Sequence, residues 1–188
     1  MRIISGTCRG RKLAGIQGRD IRPTTDRVRE ALFNIIGPGI RGMRVLDLFA
    51  GTGAFGLEAL SRGAQAAVFV DSASTSCAVI KENITRCCMD DQAMILCHDL
   101  GTGALPGQLF TAPFDLIFMD PPYRMGLADA TMALADFLPL LAPEGRVIVE
   151  QDHKESLDTS GTGLDIYRQK KYSKTFISFL HAASSIKG

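Results

Sequence analysis

From Arg44 onward, short apolar runs alternate with stretches of helical periodicity, and this alternation narrows the possible folds more than any other feature of the chain. Strands are predicted at Val45–Phe49, Ala67–Val70, Ala93–Cys97, Phe114–Met119 and Arg146–Glu150. Helices are predicted at Phe55–Ser61, Ser74–Cys87 and Leu127–Leu141, with Pro143-Glu144-Gly145 as a turn. Strand–helix–strand succession of this kind implies a mostly parallel sheet with helices on both faces. The apolar run Phe114–Met119 suits a central strand covered on both sides. The tail alternates polar and apolar residues at Leu164–Arg168 and Thr175–Phe179, which predicts a closing antiparallel hairpin and brings the sheet to seven strands.

With 188 residues, 46% hydrophobic and 22% charged, the chain has the size and composition of an α/β domain. No apolar run is long enough to cross a bilayer, and the N-terminus lacks the apolar region of a signal peptide, so a cytoplasmic protein is expected. Cys8, Cys77, Cys87, Cys88 and Cys97 lack C-x-x-C spacing, and His98, His153 and His181 are scattered, so no metal site is expected.

Charge is distributed unevenly. Residues 1–44 hold ten bases and three acids, whereas the rest of the chain holds eleven bases and seventeen acids. Residues 1–23, with two short strands around a Gly- and Arg-rich turn, are expected to form a basic arm, and residues 24–188 the main domain. Arg9, Arg11, Lys12, Arg22 and Arg27 are the candidate contacts to nucleic-acid phosphates. Thr24 or Thr25 is expected to cap a helix with Val28, Ala31, Leu32, Ile35 and Ile36 on its apolar face, ending at Gly37-Pro38-Gly39. Its other face carries Arg27, Arg29 and Glu30 toward solvent or ligand.

The segment from Asp47 to Gly56 sets an acid at a strand end, followed by glycines that let a ligand approach the backbone. Residues 51–56 fit G-x-G-x-x-G, so a dinucleotide must be weighed. Asp47 opposes that reading, because its carboxylate would repel a pyrophosphate but suits a cationic amino-acid ligand. S-adenosylmethionine is the better fit, held by Asp47, Phe49, Ala50, Gly51 and Gly53. Asp71, after the second strand, can accept ribose hydroxyls, Asp99 the adenine amino group, and Leu100 offers a backbone N–H to the ring.

Asp120-Pro121-Pro122-Tyr123 follows the fourth strand. An exocyclic amine of a nucleobase is a poor nucleophile because its lone pair is delocalised. The Asp120 carboxylate and the Pro121 carbonyl can accept its two hydrogens and orient the nitrogen. Pro121 and Pro122 stiffen the loop, and Tyr123 can stack on an extruded base. These four residues are the candidate catalytic set.

The chain resembles the bacterial 16S ribosomal RNA guanine-N2 methyltransferases of the RsmD type. The likeness rests on Arg2–Gly6 with Arg9–Leu13, on Arg22–Asn34, on Asp47–Gly53, on Asp120–Tyr123, and on Lys170-Lys171-Tyr172 with Thr175. It implies a monomeric, Rossmann-like class I methyltransferase with a small N-terminal hairpin and helix appendage. The implied substrate is one guanine of 16S rRNA in a partly assembled small ribosomal subunit. The family usually has Glu where Asp71 stands, and Gly where Ser173 stands. Rival readings are an adenine-N6 methyltransferase on DNA or RNA, an RNA-binding assembly factor with a vestigial site, and a dinucleotide oxidoreductase.

Overall fold

The computed structural model describes residues 1–16 and 26–183. Along the chain the elements are α1 (Asp26–Ile36), β1 (Arg44–Leu48), α2 (Ala54–Ser61), β2 (Ala66–Asp71), α3 (Ser74–Cys87) and β3 (Ala93–Cys97). After these come β4 (Phe114–Met119), α4 (Leu127–Met132), β5 (Leu141–Asp152), β6 (Leu164–Tyr172) and β7 (Thr175–Ala182). The strands form a seven-stranded, mostly parallel sheet in the order β3-β2-β1-β4-β5-β7-β6, the architecture expected from the alternation. Two compact units divide the chain, Met1–Asp99 and Leu100–Gly188. No helix among the described residues is long and apolar enough to cross a membrane.

In the first unit, β1 pairs parallel with β2, and β2 with β3. All eight residues of α2 are buried. The third glycine of the Gly motif makes this close packing possible. A Cβ on Gly56 would lie 2.3 Å from Cε1 of Phe69, whose ring is fully buried on β2. Gly56→Ala is therefore expected to destabilise the protein by about 1–3 kcal/mol through overpacking, measured as a lowered midpoint in urea. An unchanged midpoint would show that Phe69 can move aside.

The N-terminal segment is a docked hairpin. Its two expected strands reduce to a single antiparallel bridge, Arg2 with Lys12, because the tight turn satisfies the remaining backbone groups. Ile3, Cys8 and Leu13 are buried. The expected N-cap at Thr24 or Thr25 and the boundary at residue 23 lie outside the described residues. Helix α1 ends at Ile36, where Gly37 takes φ +74° and a short 3₁₀ turn follows.

Arg29 departs from expectation. It is not on a solvent face but fully buried, since the docked hairpin covers it and its Nη2 donates to the Arg2 carbonyl and to Asp26.

In the second unit, β4 and β5 run parallel, β7 runs against β5, and β6 runs against β7. The helix expected over Leu127–Leu141 stops at Met132. Pro139, with no N–H for the Ala135 carbonyl, would bar a continuous helix to Leu141, and after Met132 the chain turns through hydrogen bonds from Leu134 to Thr131, Phe137 to Leu134 and Leu140 to Phe137. Strand β5 starts at Leu141, opposite Phe114, and the register then jumps to Leu116 opposite Arg146. Pro143-Glu144-Gly145 is thus a bulge within a longer strand. The tail hairpin also extends further than its alternation indicated, turning at Ser173 and Lys174, with Ser173 at φ +55°. That left-handed position is one a glycine adopts without strain.

Candidate active site

In the first unit, the β1–α2 loop is built around two carboxylates. Phe49 is held at φ +59°, an uncommon conformation for a non-glycine residue, and Gly51 and Gly53 follow at φ +57° and +75°. The Ala50 N–H donates to the Val70 carbonyl at 3.0 Å, which ties the loop to the end of β2. At Gly51 a Cβ would meet nothing nearer than the Phe49 carbonyl, 4.0 Å away, so the backbone there is open to an approaching group.

Asp47 is 1% exposed and accepts the Gly56 N–H at 2.9 Å, one of the otherwise unsatisfied donors in the first turn of α2. Burial pushes its carboxyl up to about 8, against the opposing effect of the Gly56 hydrogen bond and with help from the nearby charge of Asp71. Asp47 is therefore a loop-forming residue as well as a candidate ligand. Its folded-state value lies above its unfolded one, so its contribution to stability is complete below about pH 4 and is lost as pH rises toward 8. Asp47→Asn keeps the acceptor without the ionisation. It is expected to flatten this loss, which is on the order of a few kcal/mol, when unfolding midpoints are compared between pH 5 and 9. Parallel pH profiles for the two proteins would refute the assignment.

Asp71 is also engaged with backbone. Its Oδ2 accepts the Gly51 N–H at 2.8 Å and its Oδ1 accepts the Ala73 N–H at 2.9 Å. Each carboxylate oxygen retains a further lone pair for a hydroxyl donor. Asp99 is exposed on the loop after β3, and Leu100 is buried at the start of a 3₁₀ turn.

Residues that the sequence reading did not single out hold the hairpin in place within this unit. Glu58, 0% exposed on α2, accepts the Ile4 N–H at 2.7 Å and the Ser5 N–H at 3.0 Å, and pairs with Arg62 at 2.7 Å. Ser61 donates to the Ser5 carbonyl and accepts the Cys8 N–H. Asn83 of α3 bonds both the N–H and the carbonyl of Ala14 and donates to the Thr52 carbonyl, so it connects the hairpin's exit to the Gly loop. A charge inside the otherwise apolar α2 was the one available hint of Glu58. Arg9, Arg11, Lys12 and Arg27 are exposed. Arg22 lies outside the described residues.

In the second unit, Asp120 is half-buried at the end of β4, Pro121 is buried and Pro122 exposed. The Tyr123 hydroxyl donates to Glu150 Oε1 at 3.3 Å and is also hydrogen-bonded by the Thr175 side chain. Burial, opposed by Thr175 and reinforced by the charges of Glu150 and Asp120, pushes its phenol up to about 12, so it stays a donor at neutral pH. Glu155 fixes the loop that follows, accepting the N–H of Arg124 with one oxygen and that of Asp152 with the other. A shallow cleft, open to solvent, is lined by Pro121, Pro122, Tyr123 and Glu150 among others. Glu150 and Thr175 were missed as site residues. An acid ending an apolar strand was the signal for the first, and the second had none of its own.

A family model described as Conserved hypothetical protein 95 matches residues 1–181. YlbH of Bacillus subtilis is 35% identical over 178 residues, 95% of this chain and 97% of the relative. Ribosomal RNA small subunit methyltransferase D of Escherichia coli K12 is 36% identical over 170 residues, 90% of this chain and 84% of the relative. Among solved structures, yhhF of Escherichia coli matches with a TM-score of 0.83 at 34% identity, covering 97% of this chain and 98% of that one.

Proposed function

The chain belongs to the Conserved hypothetical protein 95 family, the RsmD-type methyltransferases, and on that premise we propose that it transfers a methyl group from S-adenosylmethionine to the exocyclic N2 amine of a guanine in 16S rRNA. The observation that carries this reading is the end of β4, where Asp120 and the carbonyls of two prolines stand beside a tyrosine whose hydroxyl is anchored. Asp120 and the Pro121 carbonyl accept the amine's hydrogens and aim its lone pair, and the Tyr123 ring holds the base by stacking. Proton loss follows transfer, to Asp120 or to water. Most of the rate enhancement comes from positioning.

Asp47, Phe49, Ala50, Gly51 and Gly53 would hold the methionine end of the cofactor, Asp71 the ribose, and Asp99 with Leu100 the adenine. The donor set fits, since the open glycine backbone at Gly51 and the Asp71 carboxylate suit a ligand bearing hydroxyls. S-adenosylmethionine supplies an electrophilic methyl group. The substrate is small-subunit RNA in a partly assembled particle, and the protein acts as a cytoplasmic monomer.

The test is labelled-methyl transfer to 30S particles from cells lacking the gene, with the product mapped by mass spectrometry. One N2-methylguanine is expected. N6-methyladenine would move the assignment to the rival amine, and RNA binding without transfer would make the protein an assembly factor.

Residues 1–23 act as the RNA-contacting arm. Replacing Arg9, Arg11 and Lys12 by Ala is expected to weaken RNA binding and to reduce the slope of log K against log salt by about 2 to 3. An unchanged slope would make the arm a solvated surface only.

A further inference from the structure

We propose that Glu150 reads the base, its carboxylate accepting the N1–H of the target guanine beside the amine held by Asp120. This inference rests on the guanine-amine reading above. Met119 and Val149 are paired on neighbouring parallel strands, and Asp120 and Glu150 each stand one residue further on. Asp120 and Glu150 thus follow laterally adjacent positions of two neighbouring strands, whose backbones lie roughly 4.8 Å apart. Of the two, Glu150 contacts the Tyr123 hydroxyl. Glu150 accepts its hydrogen at 3.3 Å, and the charges of both acids oppose its ionisation. Glu150 is 6% exposed and lines the cleft with Pro121, Pro122 and Tyr123.

A nearly buried carboxylate is costly unless donors surround it. Tyr123 is one of the donors at Glu150, and a carboxylate, with about four lone-pair positions, accepts from several donors at once. Guanine presents three hydrogens in a row, two on N2 and one on N1. Adenine presents two on N6, but its neighbouring N1 is a lone-pair acceptor. A pair of adjacent carboxylates therefore complements guanine and repels adenine. The Asp-Pro-Pro-Tyr loop cannot make this distinction, since it meets the amine alone.

The test uses the full-length protein and 30S particles reconstituted with 16S rRNA carrying either guanine or 2-aminopurine at the mapped position. 2-Aminopurine keeps the N2 amine but has an acceptor at N1. The wild type is expected to prefer guanine by about 10- to 100-fold in kcat/KM. Glu150→Gln should narrow that ratio to within about threefold, because an amide can turn either its oxygen or its NH2 toward N1. Glu150→Asp, which draws the carboxylate back by one methylene, should narrow it partly and serves if the Gln variant does not fold. Tyr123→Phe, whatever it does to the rate, should keep the wild-type ratio.

A ratio unchanged in the folded Glu150 variants overturns the proposal. So does a Tyr123→Phe ratio that falls as far as that of Glu150→Gln, since Glu150 would then act only as the anchor of Tyr123. A wild-type protein that leaves natural guanine unmodified overturns the guanine reading itself. Guanine modification with equal use of 2-aminopurine overturns this inference alone.

Discussion

Asp120→Ala is expected to lower kcat for methyl transfer by about 10³-fold while changing the dissociation constant for S-adenosylmethionine by less than about threefold. The asymmetry follows from what each acid does. Asp47 and Asp71 shape the Gly loop through the N–H groups of Gly56, Gly51 and Ala73, and none of those hydrogen bonds involves Asp120. On the proposed reading, removing the Asp120 carboxylate would leave the amine without its main acceptor, and its lone pair would return to conjugation with the ring. The loss should fall on kcat rather than KM, because the stacking proposed for Tyr123 does not depend on Asp120 and the Tyr123 hydroxyl remains bonded to Glu150. Calorimetry with the cofactor and single-turnover transfer to undermodified 30S particles measure the two quantities. Retained transfer, or parallel loss of cofactor binding, would remove Asp120 from its assigned role.

Glu58→Ala is expected to cost on the order of 3–5 kcal/mol of stability, a fall in Tm of roughly 10 °C. Glu58 is fully buried, and its carboxylate satisfies two backbone N–H groups of the hairpin together with Arg62. It also lies 3.9 Å from Nε of Arg29, whose side chain is 1% exposed. Among the described residues, Nε and Nη1 of Arg29 have no hydrogen-bond partner, so the nearby negative charge compensates a buried cation that is not otherwise satisfied there. Burial already lowers the Arg29 pKa, and the charge of Glu58 opposes that shift. Arg62 is partly exposed and can turn to water, whereas Arg29 cannot. The double variant Arg29→Met with Glu58→Leu should therefore be milder than Glu58→Ala alone, since no unpaired charge is left inside. Thermal unfolding of the three proteins checks the order, and limited proteolysis should cut the hairpin first in Glu58→Ala. A single variant no less stable than the double would mean that the buried charge is neutralised in another way.

Glu58 also marks the limit of what local sequence can convey. The alternation of strands and helices was legible because hydrophobic periodicity is a property of neighbouring residues. Boundaries at Ser74–Cys87, Ala93–Cys97 and Phe114–Met119 agree with the structure for that reason. The α4 segment shows the opposite case. Its helical spacing ran on to Leu141, but Pro139 and the buried Phe137 favoured tight turns and let β5 begin earlier. Arg29 looked like a surface base because the helix period cannot report what a docked hairpin will cover.

The acids at the strand ends and the tetrapeptide after β4 were determined by sequence alone, since each is a residue type placed next to a strand that its own neighbours specify. Tertiary structure decided how those acids are used. Asp47 turns inward to an α2 N–H, Asp71 braces Gly51, and Glu150 holds the Tyr123 hydroxyl. Asn83 joins Ala14 to Thr52, and Glu58 joins Ile4 to Arg62. Most of these partners are tens of residues apart in the chain, and no local pattern encodes a contact that exists only when separately specified elements pack together.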